Sequence, residues 1–199
     1  MGYRTIDRDL GGEATAEIVV LRSRFLATVR RVEDEDAARA MIAEIRTRHP
    51  DARHHCTAFV LGADGHLRRT NDDGEPSGTA GRPMLDVLAG RGLTDVVAVV
   101  TRWFGGTLLG AGGLTRAYGD AVAAALDVAG HRDRELWTLT RVRAAPADAG
   151  AHENRLRQIG DVLETRWADD VEIRVAVRDT ADLDRIEHET IGTLWRDAP

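Results

Sequence analysis

The sequence contains no lysine, and all 27 of its basic residues are arginines, set against 33 acidic residues for a net charge of −6. The absence of lysine excludes enzymes that form a Schiff base on that side chain and nucleotide-binding proteins with a lysine-headed phosphate loop. The acidic balance argues against a protein that coats nucleic acid by charge alone, although it is compatible with a local basic patch.

Cysteine and long apolar stretches are also scarce. Cys56 is the one cysteine, so no internal disulfide can form. No apolar run approaches the roughly 20 residues that a membrane-spanning helix requires, and the first residues, MGYRTIDRDLGG, lack the apolar core of a secretory signal. Hydrophobic residues make up 43% of the chain, a globular composition. We therefore expect a cytoplasmic protein with no membrane partner.

The 199 residues suffice for one large domain or two small ones. Before the polar stretch 130–135, the patterns predict two strands within 16–32, a helix that starts near 33 and ends at His49, strands at 54–61 and 66–70, a helix that contains Pro83, a buried strand at 95–101 and a helix at 114–129. After it they predict strand, helix, strand, strand, helix at 136–144, 147–159, 162–167, 171–178 and 180–191. This second string is typical of a ferredoxin-like α/β sandwich, so we predict an α+β protein with domains 1–131 and 136–199.

The first segment that can carry chemistry is DDGEPSGTAGRP at 72–83. It combines three carboxylates, two hydroxyls, one guanidinium and glycines that allow backbone amides to turn toward a ligand. It is compatible with a cation site of oxygen ligands, with a polar pocket for a small molecule, and with a long turn whose side chains cap their own backbone. The EF-hand spacing is not matched.

The second segment is RWFGGTLLGAGGLTR at 102–116, where a buried strand runs through glycines into a helix. Free amides and the positive end of a helix dipole meet there, which favours an anion site flanked by Arg102 and Arg116. Close packing of backbone on backbone, which glycine permits, explains the same pattern. The dinucleotide fingerprint is matched poorly because the third glycine is misplaced.

A third candidate is His54-His55-Cys56. Adjacent histidines on a strand point to opposite faces, and one histidine with one cysteine is too few ligands for zinc. We therefore interpret Cys56 as a small buried hydrophobic residue, with one histidine hydrogen-bonded near the pocket.

Together these segments closely resemble the YigZ/IMPACT family. The likeness runs from Ser23-Arg24-Phe25 through 52–59, DDGEPSGTAGRPML (72–85) and VVTRWFGGTLLGAGGLTRAY (99–118), and it covers about residues 3–130. The pairing of the two glycine-rich motifs is highly specific. One departure is Trp103, where tyrosine is commoner, and it preserves the aromatic character.

The resemblance implies a first domain like domain 2 of ribosomal protein S5 and a second, ferredoxin-like domain similar to one in translation elongation factors. Eukaryotic relatives regulate translation initiation through an additional N-terminal domain that this sequence does not contain, so we do not carry that specific role over. For bacterial members the resemblance suggests binding to nucleic acid or to the translation machinery, without an established reaction.

From this reading we expect a translation-associated binding protein whose first domain takes an anionic ligand, such as nucleic acid or an anionic small molecule. The cofactor is unknown, and no metal ligands or catalytic residues are assigned. The alternatives are a metal- or nucleotide-dependent hydrolase or phosphotransferase that uses Asp72, Asp73 and Glu75, and a protein–protein interaction module. The candidate ligand-binding residues are His54, Asp72, Asp73, Gly74, Glu75, Ser77, Thr79, Arg82, Arg102, Gly105, Gly106, Gly110, Gly112, Gly113 and Arg116.

Overall fold

The structure, a computed structural model, describes residues 2–184 and 186–198, so Met1, Arg185 and Pro199 lie outside it. The chain divides into two compact units, one of Tyr3–Asp133 and one that comprises the segment from Arg134 onward together with the N-terminal end. The helices and strands are β1 (Gly2–Ile6), β2 (Glu13–Val20), β3 (Ser23–Arg31), α1 (Glu35–Arg48), β4 (His54–Leu61), β5 (Leu67–Asn71), α2 (Gly81–Gly90), β6 (Val96–Trp103), α3 (Gly110–Ala129), β7 (His131–Ala144), α4 (Pro146–Ile159), β8 (Gly160–Trp167), β9 (Val171–Val177) and β10 (His188–Asp197).

The first unit is built on a five-stranded sheet in the order β2-β3-β6-β4-β5, with every neighbouring pair antiparallel. Strands β4 and β6 are buried on both faces, because their alternate side chains pack into two different hydrophobic cores. Cys56, Ala58 and Val60 of β4 pack with α2 and α3, and Phe59 and Leu61 pack with α1. The two faces of the sheet therefore carry separate surfaces, one beside α3 and one beside α1.

In the second unit the strands lie in the antiparallel order β8-β9-β7-β10, because β9 and β10 pair with the same central residues of β7. Leu156 of α4 and Leu183 of a short 3-10 helix, Thr180–Leu183, pack on this sheet with Val142, Ile173 and Val175. This is the ferredoxin-like strand order, and the α+β prediction is confirmed. Among the described residues, no helix has the length and apolarity needed to cross a membrane.

The last predicted helix, at 180–191, is wrong. Helical structure there is limited to Thr180–Leu183, and β10 occupies His188–Asp197. The spacing of Leu183 and Ile186 suits a helix locally. The next segment instead pairs with β7 from His188 to Asp197, a contact between residues about 50 positions apart that local patterning cannot reveal.

The starts of α3 and β7 differ most from the sequence-based prediction. Helix α3 begins at Gly110 instead of residue 114, so the glycines form its first turn. Strand β7 begins at His131 instead of 136, within a polar stretch. Its first residues are polar and include Asp133, which pairs with Arg4 at 2.8 Å, so the apolar alternation that marks a strand in the sequence is missing there. Strand β1 is absent from the sequence-based prediction.

Candidate functional site

The two predicted segments meet at one cavity of about 350 Å³ in the first unit, here named the α3 pocket. It opens where β4 begins, where β6 ends and where α3 starts. Four of the predicted residues, His54, Glu75, Arg102 and Gly110, line it. The other lining residues are Arg53, Pro76, Phe104, Leu108, Leu109, Ala111 and Leu114.

The inner wall of the α3 pocket is a buried ion pair. Nη1 of Arg102 lies 2.6 Å from Oε1 of Glu75, and only 6% and 4% of the two side chains are exposed. The Tyr118 hydroxyl donates to the same carboxylate oxygen at 2.7 Å. The Arg102 guanidinium also lies over the ring of Phe25, 5.3 Å from its centroid. These contacts fix the guanidinium at the pocket wall, and its Nε is buried without a hydrogen-bond partner among the described residues.

The Cys56 thiol and the Tyr118 hydroxyl lie on the buried side of the Arg102–Glu75 ion pair. The Cys56 sulfur lies 3.3 Å from the Tyr118 hydroxyl and 3.0 Å from the Asp72 carbonyl oxygen. Burial raises the pKa of the Cys56 thiol to about 12, and burial likewise raises the pKa of Tyr118. The thiol is therefore not a nucleophile at neutral pH, and the tyrosine remains a hydrogen-bond donor to Glu75.

The open side of the α3 pocket is the start of a 20-residue helix without a side-chain cap. Its cap residue is Leu109, its first turn holds no acidic residue, and Gly110 has a φ of +70°. By contrast, Asp34 caps α1 by accepting the Ala37 N–H at 2.7 Å. Among the described residues, the N–H groups at the start of α3 therefore have no capping side chain. Gly110 and Ala111 of this first turn line the same cavity as Arg102.

Asp72 supplies the internal anion for α2. Its carboxylate accepts the N–H groups of Gly78, Ala80 and Gly81 at 2.8, 3.0 and 2.8 Å. Burial raises the pKa of Asp72, but these three hydrogen bonds outweigh it and leave the pKa below its usual value. Asp72 therefore holds the 72–81 loop closed on the start of α2, and it does not line the pocket.

Asp73 faces away from the pocket, toward α1. Its carboxylate lies 2.6 Å from Nη2 of Arg46 and accepts the His55 N–H at 2.7 Å, with a φ of +43° for the residue. Burial raises the pKa of Asp73, and the bonds from Arg46 and His55 lower it further than burial raises it. The Asp73 carbonyl oxygen lies 2.9 Å from Nδ1 of His54, which fixes that ring at the pocket wall. The three carboxylates of the segment thus have three different partners.

Several other predicted residues lie outside the pocket lining. Thr79 is buried and donates to the Pro76 carbonyl oxygen at 2.7 Å, and Ser77 is exposed. Arg82 pairs with Asp86 at 2.8 Å on the exposed side of α2, and Arg116 is exposed on α3. These residues are not brought together with Arg102.

The predicted glycines have different structural roles. Gly105 packs on the β2–β3 turn, where an added Cβ would lie 2.0 Å from the carbonyl carbon of Arg22. Its N–H also donates to the buried Ser23 hydroxyl at 3.1 Å. Gly74 lies beside the His54 ring, and Gly106 has a φ of +86°. Gly112 and Gly113 lie in the first turn of α3.

Sequence reasoning missed the apolar rim of the pocket. Phe104 and Leu108 are 50% and 86% exposed, and Arg53 is exposed beside His54. A signal was present, since Leu108 and Leu109 stand between Gly106 and Gly110, where a solvated loop favours polar residues. Tyr118 was also missed, because it lies about two turns into α3, beyond the glycine-rich segment that indicated a site. Within the described residues, no group of three or more His, Cys, Asp and Glu side chains is arranged to hold a metal ion.

Comparison with known proteins places these features in context. Residues 21–126 match the family model of the Impact N-terminal domain. A relative in Bacillus subtilis, "IMPACT family member YvyE", is 44% identical over 82% of this chain and 76% of its own length. "IMPACT family member YigZ" of Escherichia coli is 49% identical over 54% of this chain and 53% of its own length, so that match spans about half of the relative.

A solved structure supports the fold over nearly the whole chain. "Crystal structure of an hypothetical protein" has a TM-score of 0.65 and 33% identity, covering 96% of this chain and 97% of that one. A structure described as the two-domain translational regulator Yih1 has a TM-score of 0.41 and 25% identity, covering 61% of this chain and 48% of that chain.

Proposed function

The chain belongs to the IMPACT family, and from that premise we propose that it is a translation-associated binding protein that holds an anionic group in the α3 pocket. The observation that carries the proposal is the uncapped start of α3 beside the buried guanidinium of Arg102. The link to translation is supported by the family alone, since its eukaryotic members regulate translation initiation. A cytoplasmic location accords with this role.

The chemistry of the pocket favours an anion over a cation or a neutral molecule. The unpaired amides at the start of α3 donate hydrogen bonds, and the dipole of the helix adds a partial positive charge. Arg53 contributes a full positive charge at the rim, whereas the charge of Arg102 is balanced by Glu75. Arg102 therefore serves as a fixed hydrogen-bond donor, and an anion at this point gains several donors with little reorganisation.

The apolar rim favours an anion attached to a larger group. Phe104 and Leu108 line the same cavity as the first residues of α3 and are open to solvent. A phosphate that belongs to nucleic acid or to an anionic small molecule can place its phosphoryl oxygens at the amides and its base or carbon skeleton on this rim. The cavity of about 350 Å³ is at the lower end of the range of small-molecule pockets.

The binding function is favoured over a hydrolase or phosphotransferase because of how the carboxylates are used. Asp72 caps α2, Asp73 pairs with Arg46, and Glu75 pairs with Arg102. A general base must reach the proton that it abstracts in a bound substrate. Only the carboxylate of Glu75 borders the pocket among these three, and it already accepts from two donors.

The test is to give α3 an internal anion. Ala111→Glu places a carboxylate in the first turn of the helix, on the pocket wall. Ala147→Glu is the matched control, because it makes the same exposed change in the first turn of α4. Both variants should be as stable as the parent protein or slightly more so, by about 0.3–1 kcal/mol from the dipole.

Binding is then measured by thermal shift with inorganic phosphate, ATP, and short RNA and DNA oligomers. We expect a shift with the phosphate-containing ligand that is lost in Ala111→Glu and kept in Ala147→Glu. The choice of ligand separates nucleic acid from a small anion. If both variants keep the thermal shift, the anion binds outside the α3 pocket. If no probe shifts the melting temperature, the anion-binding proposal is wrong.

The link to translation has its own test. Co-sedimentation with ribosomes should be seen for the parent protein and for Ala147→Glu, and it should be weaker for Ala111→Glu if the α3 pocket makes the contact. Absence of the parent protein from the ribosomal pellet at low salt, where charge attraction is strongest, would contradict this part of the proposal.

A further inference from the structure

The opposite face of the sheet carries a second cavity, of about 490 Å³, between α1 and strands β4 and β5. It is here named the α1 groove. Arg39 and Arg46 line it from α1, Arg69 lines it from β5, and Thr57 and Phe59 of β4 form its floor. No residue lines both this groove and the α3 pocket. It is therefore a surface separate from the α3 pocket.

Arginines outnumber acidic residues in the lining of the groove, although the chain as a whole is acidic. Three arginines and one acidic residue, Glu35, line it, whereas the whole chain has a net charge of −6. Arg39 is paired with Glu35 at 2.5 Å and Arg46 with Asp73 at 2.6 Å. Arg69 differs from both, since its guanidinium donates to the Arg68 carbonyl oxygen at 3.1 Å and has no acidic partner among the described residues.

The walls of the groove are helix α1 and the edge strand β5. Strand β5 ends the strand order, and its residues from Arg68 to Asn71 are exposed. The outward N–H and C=O groups of an edge strand are open to another chain. Some peptide-binding domains bind their peptide as an additional strand of a sheet. The extended peptide pairs with an edge strand, and its side chains enter neighbouring pockets.

We propose that the α1 groove binds an extended, acidic segment of a partner protein. Acidic side chains of the segment contact Arg69 and Arg46, and alternate apolar side chains lie on the floor beside Ile42. Glu35 repels acidic groups at its end of the groove, so the acidic positions lie at the Arg46 end. From Glu35 to Arg46 the helix extends about 17 Å, a length that about five residues of extended chain match.

A polypeptide fits this groove better than a nucleic-acid strand does. Phe59 is the aromatic residue of the floor, and at 5% exposure it offers no face on which a base can stack. The main-chain groups at the β5 edge pair with another main chain, for which nucleic acid has no counterpart.

The experiment uses the full chain and a fluorescent peptide of about eight residues that alternates glutamate and valine. A lysine–valine peptide of the same length and an oligouridine serve as comparison probes. Arg69→Gln removes a guanidinium that has no acidic partner, so it should leave the melting temperature unchanged. Arg68→Gln is the matched control, because it makes the same charge change on the same strand with the side chain on the other face of the sheet.

We expect the glutamate–valine peptide to bind, the lysine–valine peptide not to bind, and Arg69→Gln to weaken the affinity about tenfold. Arg68→Gln should change it by less than about twofold, and binding should weaken with added salt. Equal loss in both variants would mean diffuse charge attraction and would overturn the proposal. So would the failure of the glutamate–valine peptide to bind at about 1 mM, or loss in Arg69→Gln of oligouridine binding alone.

Discussion

Arg102 and Glu75 form an ion pair of 2.6 Å at the wall of the α3 pocket, with almost no solvent access to either side chain. The pair joins the two glycine-rich segments, which are separated in sequence by helix α2 and most of strand β6. Because Tyr118 donates to the same carboxylate, the three residues tie the 72–81 loop to β6 and α3. The site and the fold therefore depend on the same contacts.

Replacement of Glu75 should lower stability strongly. Glu75→Ala leaves the buried guanidinium of Arg102 without its counter-charge, and we expect a loss of about 3–5 kcal/mol in the free energy of unfolding. Urea denaturation followed by circular dichroism measures it. Glu75→Gln, which keeps an acceptor for Tyr118, should lose less. A Glu75→Ala variant as stable as the parent protein would contradict the structural role of the pair.

Gly105 should not tolerate a side chain. Alanine at this position places its Cβ against the Arg22 carbonyl carbon, 2.0 Å away, so the β2–β3 turn or the loop must move. We expect Gly105→Ala to cost about 3 kcal/mol or more in unfolding free energy. The matched control is Gly112→Ala, where an added Cβ meets nothing within 4 Å. That change should stabilise α3 by up to about 1 kcal/mol, and a loss there would contradict the placement of Gly112 in the helix.

Asp72 should make stability depend on pH in the acidic range. Its pKa is lowered in the folded state, so its contribution is full above the unfolded value of about 3.9 and is lost as pH falls through the folded value. The unfolding free energy of the parent protein should therefore decline from about pH 4 downward. Asp72→Asn should show lower stability at neutral pH and a shallower decline. Parallel curves for the two proteins would show that the carboxylate has no such role.

Cys56 should be inert in the folded protein. Its thiol is fully buried, and burial raises its pKa to about 12. A thiol reagent at pH 8 should label no cysteine in the native protein and one per chain after guanidinium denaturation. Rapid labelling without denaturant would mean that the segment around β4 opens, and the packing of Cys56 against Tyr118 would then need revision.

Local patterns predict those parts of the fold in which the chain interacts with its near neighbours. Strand β4 is predicted at its observed bounds, 54–61, because apolar residues fill both of its faces and turn formers follow. The helix that ends at His49 is likewise set by its acidic first turn and its cap. Strand β10 cannot be predicted from local patterns, because it forms by pairing with β7, and its own sequence does not identify that partner strand.

The candidate site is divided in the same way. That the two glycine-rich segments face one cavity is a reasonable expectation from one strand running between them. Which carboxylate serves which donor is set by distant residues, namely Arg46 for Asp73 and Arg102 for Glu75. The sequence presents the three acids as equivalent neighbours, and the fold gives each a different environment.

The strand order of the first unit has a consequence for how the chain folds as it is made. Strands β3 and β4 lie on either side of β6, so the hairpins β2–β3 and β4–β5 cannot join until residue 103 has been synthesised. Until then the edges of β3 and β4 that pair with β6 in the folded protein present main-chain N–H and C=O groups without a partner strand. A nascent chain halted before that point would be prone to association with other chains, and it would lack the side of the α3 pocket that α3 forms.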